Sequence, residues 1–189
     1  MSPYKSFDEL AGQELEGQDY TVRIRLRNSP VLVMAPHGGK IEPGSGEIAE
    51  AIAADEYSFY CFEGIKADGN GALHIGSHLF DEPRALEAVR AVEIVVTVHG
   101  HANRDDGFVM VGGLDATLKT RIEGELTRAE FQIREATEGL KATDPANICN
   151  RGRSGKGVQL EISRKLRDSC RAYRDCLREF ADAVRRGIR

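Results

Sequence analysis

The chain has 189 residues, 41% of them hydrophobic and 30% charged, with a formal net charge of −4 at pH 7. That length supports one domain with a substantial core, and no break in composition divides it, so residues 1–189 are expected to form a single domain. The mildly acidic balance gives no basis for binding nucleic acid or an anionic membrane, and no apolar run is long enough to span a bilayer.

The four cysteines (Cys61, Cys149, Cys170 and Cys176) form no CxxC pair, so free thiols in a reducing compartment are expected. The stretch 1–14 lacks the apolar core of an export signal, which predicts a cytoplasmic protein. Such a protein would leave the cell on lysis.

Residues 3–15 read as a short helix or loop. Over 19–27 the pattern alternates, with Tyr20, Val22, Ile24 and Leu26 on one side and Thr21, Arg23, Arg25 and Arg27 on the other. That pattern predicts a strand with one wet face, near an edge and antiparallel to its neighbour. Residues 31–35, VLVMA, read as a short strand buried on both faces, ending at Pro36. His37, two glycines and Glu42 follow, and a helix starts at Ser45. Open α/β sheets place their sites at such strand C-termini. Imidazole and carboxylate are both zinc ligands, and tight glycine turns let two of them converge on one ion. The plain alternative is a polar βα loop with an incidental histidine. Glu47, in the first turn of the helix over 45–54, rivals Glu42 as a ligand, although offsetting the helix dipole is its commoner role.

Residues 57–62, YSFYCF, read as a strand, as do 73–75. The loop that follows carries His78 and Asp81, with Pro83 opening a helix to about Ala91. His74 and His78 are candidate ligands or substrate contacts, or plain hydrogen-bonding residues. A second buried strand, IVVTV, ends in His99-Gly100-His101, repeating the geometry of the first. Neighbouring strand ends would bring His37 and His99 to a common ion.

Residues 108–111 form a short strand. Leu114, Leu118, Ile122 and Leu126 mark an amphipathic helix, and 130–136 suggests another strand. The turn-rich loop to Gly157 holds Asn147, Asn150, Arg151 and Arg153, and long ordered loops of this kind tend to be functional. In the last strand, 158–162, Gln159 and Glu161 share one face, where a carboxylate needs a partner. One long helix is expected from Arg164 to about Arg186, with Cys170 and Cys176 on opposite sides.

These segments together resemble the poly-γ-glutamate hydrolase family of phage-derived zinc enzymes. The resemblance rests on APHGGKIEPGSGEIA (35–49), LHIGSHLFDEPRALEAV (73–89), VTVHG (96–100), NICNRG (147–152) and GVQLEISRKLR (157–167), in that order. It implies an α/β fold like that of the zinc carboxypeptidases, a mixed, mostly parallel open sheet between helices. It implies a Zn2+ cofactor on His37, Glu42 and His99, and Glu161 as general base. His101 rivals His99, which is favoured because it sits directly on the strand end. The implied reaction is hydrolysis of γ-glutamyl bonds in an acidic polymer whose units each carry a free α-carboxylate. Arg151, Arg153 and Arg164 suit bidentate carboxylate binding, with His78 and Asn150 as further substrate contacts, and plain surface charge is the competing role for each arginine. A zinc amidohydrolase of small N-acyl or γ-glutamyl amino acids, and a non-catalytic metal-dependent phage binding protein, are the alternatives.

Overall fold

A computed structural model describes residues 3–189. Seven strands, β1 (Tyr20–Arg25), β2 (Val31–Gly39), β3 (Ser58–Gly64), β4 (Ile94–His101), β5 (Val109–Gly112), β6 (Ile133–Arg134) and β7 (Val158–Ser163), form one sheet in the order β1-β3-β2-β4-β7-β5-β6. Strands β3, β2, β4 and β7 are mutually parallel. Strand β1 runs antiparallel to β3, and β5 runs antiparallel to β7 with β6 parallel to it. Helices α1 (Phe7–Ala11), α2 (Ser45–Ala53), α3 (Pro83–Arg90), α4 (Ala116–Arg128), α5 (Arg164–Ala172) and α6 (Arg174–Ile188) cover the two faces. This is the expected mixed, mostly parallel sheet between helices.

Alternation along the central strands separates two cores. Val33, Ala35, Phe59, Val96, Val98, Leu160 and Ile162 pack against Ile48 and Ile52 of α2, Ile122 of α4, and Phe180 and Val184 of α6. Leu32, Met34, Tyr60, Phe62 and Val95 pack on the other face with Leu10 of α1 and Val89 of α3. Burial on both faces explains why β2 and β4 read as unbroken apolar runs. Phe180 is fully buried. Phe180→Ala is expected to cost about 3–5 kcal/mol, measured by urea unfolding. A cost below about 1 kcal/mol would contradict its place in that core.

Several expectations shift. The arginine side of β1 is only half wet. Arg23 and Arg25 lie over the Phe59 ring, 5.3 and 5.0 Å from its centroid, and both pair with Glu50 of α2 at 2.7 Å. Residues 73–75 form no strand; Leu73 closes a 3-10 turn, Asn70–Leu73, and irregular chain follows. The strand expected over 130–136 shortens to β6. The single C-terminal helix divides at Tyr173, whose backbone is extended and whose side chain is 68% exposed. A continuous helix would have buried Tyr173 with the apolar stripe. The break swings α6 across α4 and brings the Cys170 and Cys176 sulfurs to 3.2 Å instead of opposite sides.

Candidate active site

Strand β2 does not stop at Pro36 but runs on to Gly39. Its ladder with β3 pairs Ala35 with Cys61 and then Gly38 with Glu63, so β2 carries one extra residue. Proline, which lacks an N–H, is tolerated at such a bulge. The extra residue also reverses the alternation. Val31, Val33 and Ala35 point toward α2, and without the bulge His37 would follow them. Instead Gly38 takes that face, against the Cys61 sulfur, and His37 turns to the opposite side. His99 and Glu161 are direct cross-strand partners between β4 and β7. The site therefore spans the C-terminal ends of three adjacent parallel strands, where chain connections diverge to the two sides of β2.

His37, Glu42 and His99 each bring a ligand atom within 4.8 Å of the others. His37 Nδ1 lies 3.1 Å from His99 Nδ1 and 3.3 Å from Glu42 Oε1, and His99 Nδ1 lies 3.7 Å from Glu42 Oε2. Ligands about 2.0–2.1 Å from a tetrahedral ion stand about 3.3 Å apart. The three separations thus fit an ion coordinated by two Nδ1 atoms and one carboxylate.

The surrounding contacts favour the same arrangement. His37 Nε2 is 2.7 Å from the Ile75 carbonyl, which can only accept, so Nε2 carries the proton and Nδ1 keeps its lone pair. Ser77 Oγ stands 3.3 Å from His99 Nε2. Glu42 Oε2 accepts from the Gly100 N–H at 2.8 Å, and Glu42 Oε1 lies 3.1 Å from His74 Nε2. The His74 ring stacks on His37 at 3.7 Å. Burial pushes the His37 imidazolium down to about 4, against the pull of Glu42, so His37 is neutral at pH 7. Burial would raise the Glu42 carboxyl, but its contacts with His37, His74 and His99 outweigh that and hold it well below the usual range. A neutral imidazole beside an ionised carboxylate is a competent ligand pair.

Glu161 is buried, and its partner is Gln159, whose Nε2 donates to Glu161 Oε1 at 2.9 Å. Asn147 Nδ2 in turn donates to Gln159 Oε1 at 3.0 Å. Burial, opposed by the nearby His99, raises the Glu161 carboxyl to about 7. All these groups line one cleft of about 380 Å³. A carboxylate poised near neutrality beside a three-ligand metal set can move a proton to and from water.

The remaining candidates divide. His78 lines the cleft, and so does His101, which turns its Nδ1 to the Asn103 N–H and lies outside the ligand set. Arg164 lines an adjoining cavity that shares Glu42, Gly100 and Ala102 with the cleft. Glu47 pairs on the surface with Arg171 at 3.3 Å. Asn150 is consumed in structure: its side chain bonds the Leu114 and Gly157 N–H groups and the Ala142 and Asp144 carbonyls. Arg151 bonds the Phe80 carbonyl. Arg153 pairs with Glu93 at 2.8 Å, beside the first residue of β4 and therefore at the opposite end of the sheet from the site. Arg153→Ala is accordingly expected to leave kcat/KM within about 2-fold of wild type in a bond-cleavage assay, the range of a rim charge. The sequence reading missed Ile75, Ser77, Gly100 and the Asn147–Gln159 pair. Only Gln159 left a signal, by sharing the face of Glu161.

The fold recurs in N-formylglutamate amidohydrolase from Ralstonia eutropha JMP134, with a TM-score of 0.60 at 11% identity over 89% of this chain and 96% of that one. The architecture is thus shared with that protein, and the site on it combines three residues that could hold a metal ion with a buried carboxylate. The chain belongs to the poly-gamma-glutamate hydrolase family, whose model matches residues 4–178. It is similar in structure to a bacteriophage poly-gamma-glutamate hydrolase, with a TM-score of 0.93 and 31% identity over 100% of this chain and 97% of that one. The zinc-free apo form of YndL superposes with a TM-score of 0.91 at 36% identity, over 100% and 98% of the two chains. In sequence the chain is 39% identical to the UPF0714 protein YndL of Bacillus subtilis (strain 168) over 168 residues, 88% of this chain and 66% of YndL. It is 36% identical to the SPbeta prophage-derived UPF0714 protein YoqZ of the same strain, over 87% of this chain and 60% of YoqZ. The chain spans about two thirds of the length of these curated relatives. Among the described residues no helix is long and apolar enough to cross a membrane.

Proposed function

We propose that this protein is a zinc-dependent amide hydrolase that cleaves the γ-glutamyl bonds of poly-γ-glutamate or a related acidic polymer. The observation that carries the reading is the convergence of His37, Glu42 and His99 at tetrahedral-edge separations, with Glu161 on the adjacent strand, in a member of this family. A relative solved in a form described as zinc-free supports zinc as the ion. When bound, zinc supplies Lewis-acid chemistry, polarising the scissile carbonyl and acidifying the attacking water.

Glu161 does the proton work. Its carboxylate takes a proton from the attacking water as the new C–O bond forms at the γ-carbonyl carbon. The same proton then passes to the leaving nitrogen as the C–N bond breaks, yielding a γ-carboxylate and a free amine. Gln159, held by Asn147, fixes the rotamer of Glu161, so the oxygen facing the cleft does not turn away. On the substrate side, Arg164 and the exposed Arg104 line the adjoining cavity. A guanidinium fork there would pair with the α-carboxylate of a neighbouring glutamyl unit. His78 stands at the cleft as a further contact.

The test is incubation of zinc-loaded protein with poly-γ-glutamate, with and without chelator, followed by product sizing. Chelator-sensitive shortening is expected. One zinc per chain without shortening would move the substrate to small γ-glutamyl or N-acyl amides. The absence of both zinc binding and shortening would overturn the reading.

A further inference from the structure

Arg167 is 3% exposed, and no carboxylate pairs with it. A buried guanidinium needs its charge and donors met. Arg167 meets them entirely with backbone carbonyls. Nε donates to Ile162 at 3.0 Å, Nη2 to His101 at 3.2 Å and Nη1 to Pro43. These carbonyls belong to three separate segments. Ile162 follows Glu161, Pro43 follows Glu42, and His101 is two residues beyond His99.

The sheet leaves a gap at this place. The β2–β4 ladder ends at the pair Met34–Thr97, before His37 and His99 are reached. Beyond that pair the ligand-bearing end of β2 meets β4 through the site's own side chains (His37 and Glu42 against His99, and the Glu42 carboxylate on the Gly100 N–H), and Arg167 adds a link through the backbone. Two glycines make room for the fork. A Cβ on Gly100 would stand 2.6 and 2.8 Å from Nη2 and Nη1. A Cβ on Gly44, whose φ is +99°, would stand 2.9 Å from Arg167 Cβ. Cleared space on both sides and three carbonyls around one planar donor make this a built socket.

We propose that Arg167 is a positioning residue of the active site, locking the ends of β2, β4 and β7 in the relative placement that lets His37, Glu42, His99 and Glu161 act together. The proposal rests on the zinc-hydrolase reading and goes beyond it, because Arg167, which lines the adjoining cavity beside Arg164, hydrogen-bonds backbone carbonyls and no ligand side chain. A planar fork can hold three carbonyls at once, whereas a lysine ammonium, as a point charge, cannot.

The experiment measures zinc affinity by competition with a chromophoric chelator, kcat and KM on γ-glutamyl oligomers, and Tm, for wild type, Arg167→Ala, Arg167→Lys, Gly100→Ala and Arg171→Ala. For both Arg167 variants zinc affinity is expected to fall about 10–100-fold, the range seen when groups supporting metal ligands are lost. The kcat should fall about 100-fold, with KM shifting less than about 3-fold, as small misplacements of catalytic groups do. Guanidinium chloride at low millimolar concentration should restore part of both losses in Arg167→Ala, and urea should not. Gly100→Ala, which keeps the charge but displaces the fork, should show the same losses. It also serves as the test if Arg167→Ala fails to fold. Arg171→Ala, one turn along α5 on the surface, should match wild type. Wild-type zinc affinity and kcat in Arg167→Ala or Gly100→Ala would overturn the proposal. So would losses that follow only the unfolded fraction and are not restored by guanidinium, or a wild type that binds no zinc. Zinc affinity is read without substrate, so a wild type that binds zinc but cleaves no γ-glutamyl bond would sink the substrate assignment and leave the Arg167 result to stand on its own.

Discussion

Glu161→Gln is expected to keep one zinc per chain and to lose about 10²–10⁴-fold in kcat, the share that a positioned general base contributes. The amide is isosteric, and its carbonyl can still accept from Gln159 Nε2, so the hydrogen-bonded chain back to Asn147 survives. What disappears is the ability to take a proton. Stability should not suffer. Burial raises the Glu161 carboxyl to about 7. A raised acid costs the folded state stability as pH climbs from the ordinary carboxylate range through 7, and a neutral amide removes that cost. In the metal-free protein the Tm above pH 7 should therefore be no lower than wild type. Zinc content, release of amine from a γ-glutamyl oligomer and thermal unfolding together check the claim. Turnover within about 10-fold of wild type with zinc bound would remove Glu161 from the proton-transfer role.

The second large effect concerns the ligands. His99→Ala is expected to reduce zinc from about one per chain to near none, since only two of three protein ligands remain. Activity should fall about 10³-fold or more, the equivalent of losing several kcal/mol of Lewis-acid stabilisation. His99 is buried, and its ring nitrogens face His37 Nδ1 and Ser77 Oγ. Two controls separate the rival ligands. Glu47→Ala should retain metal and turnover, because Glu47 lies in a surface pair with Arg171. His101→Ala should retain zinc, because its ring turns to the Asn103 N–H and the Phe108 ring, 5.2 Å away. Zinc retained in His99→Ala and lost in His101→Ala would reverse the assignment.

Much of this molecule was legible from short-range pattern. The apolar runs of β2 and β4 announced strands buried on both faces, and a histidine at the C-terminal end of each pointed to a shared site. Gln159 and Glu161 were legible as sharing one face of the last strand, and the need of that carboxylate for a partner was legible too, but that Gln159 is the partner was not. Where local pattern misled, the cause was an event that periodicity cannot express. One extra residue in β2 turns His37 from the α2 side to the site side. One extended residue, Tyr173, divides a stripe that reads as continuous.

The sequence by itself determined the element types, the two-sided burial of the sheet and the residue kinds at its strand ends, because these depend on side chains a few positions apart. Only the tertiary structure decided which of those residues meet. The Ile75 carbonyl that sets the His37 tautomer is 38 positions away, and the Gly100 N–H that holds Glu42 is 58 away. The carbonyl of Pro43 that Arg167 grips is 124 away. These partners are backbone groups, the same in every residue but proline's missing N–H, so their identity leaves no mark on the sequence. Arg153 and Arg164 look alike as residues, yet the fold carries one to the far end of the sheet and the other to the edge of the site.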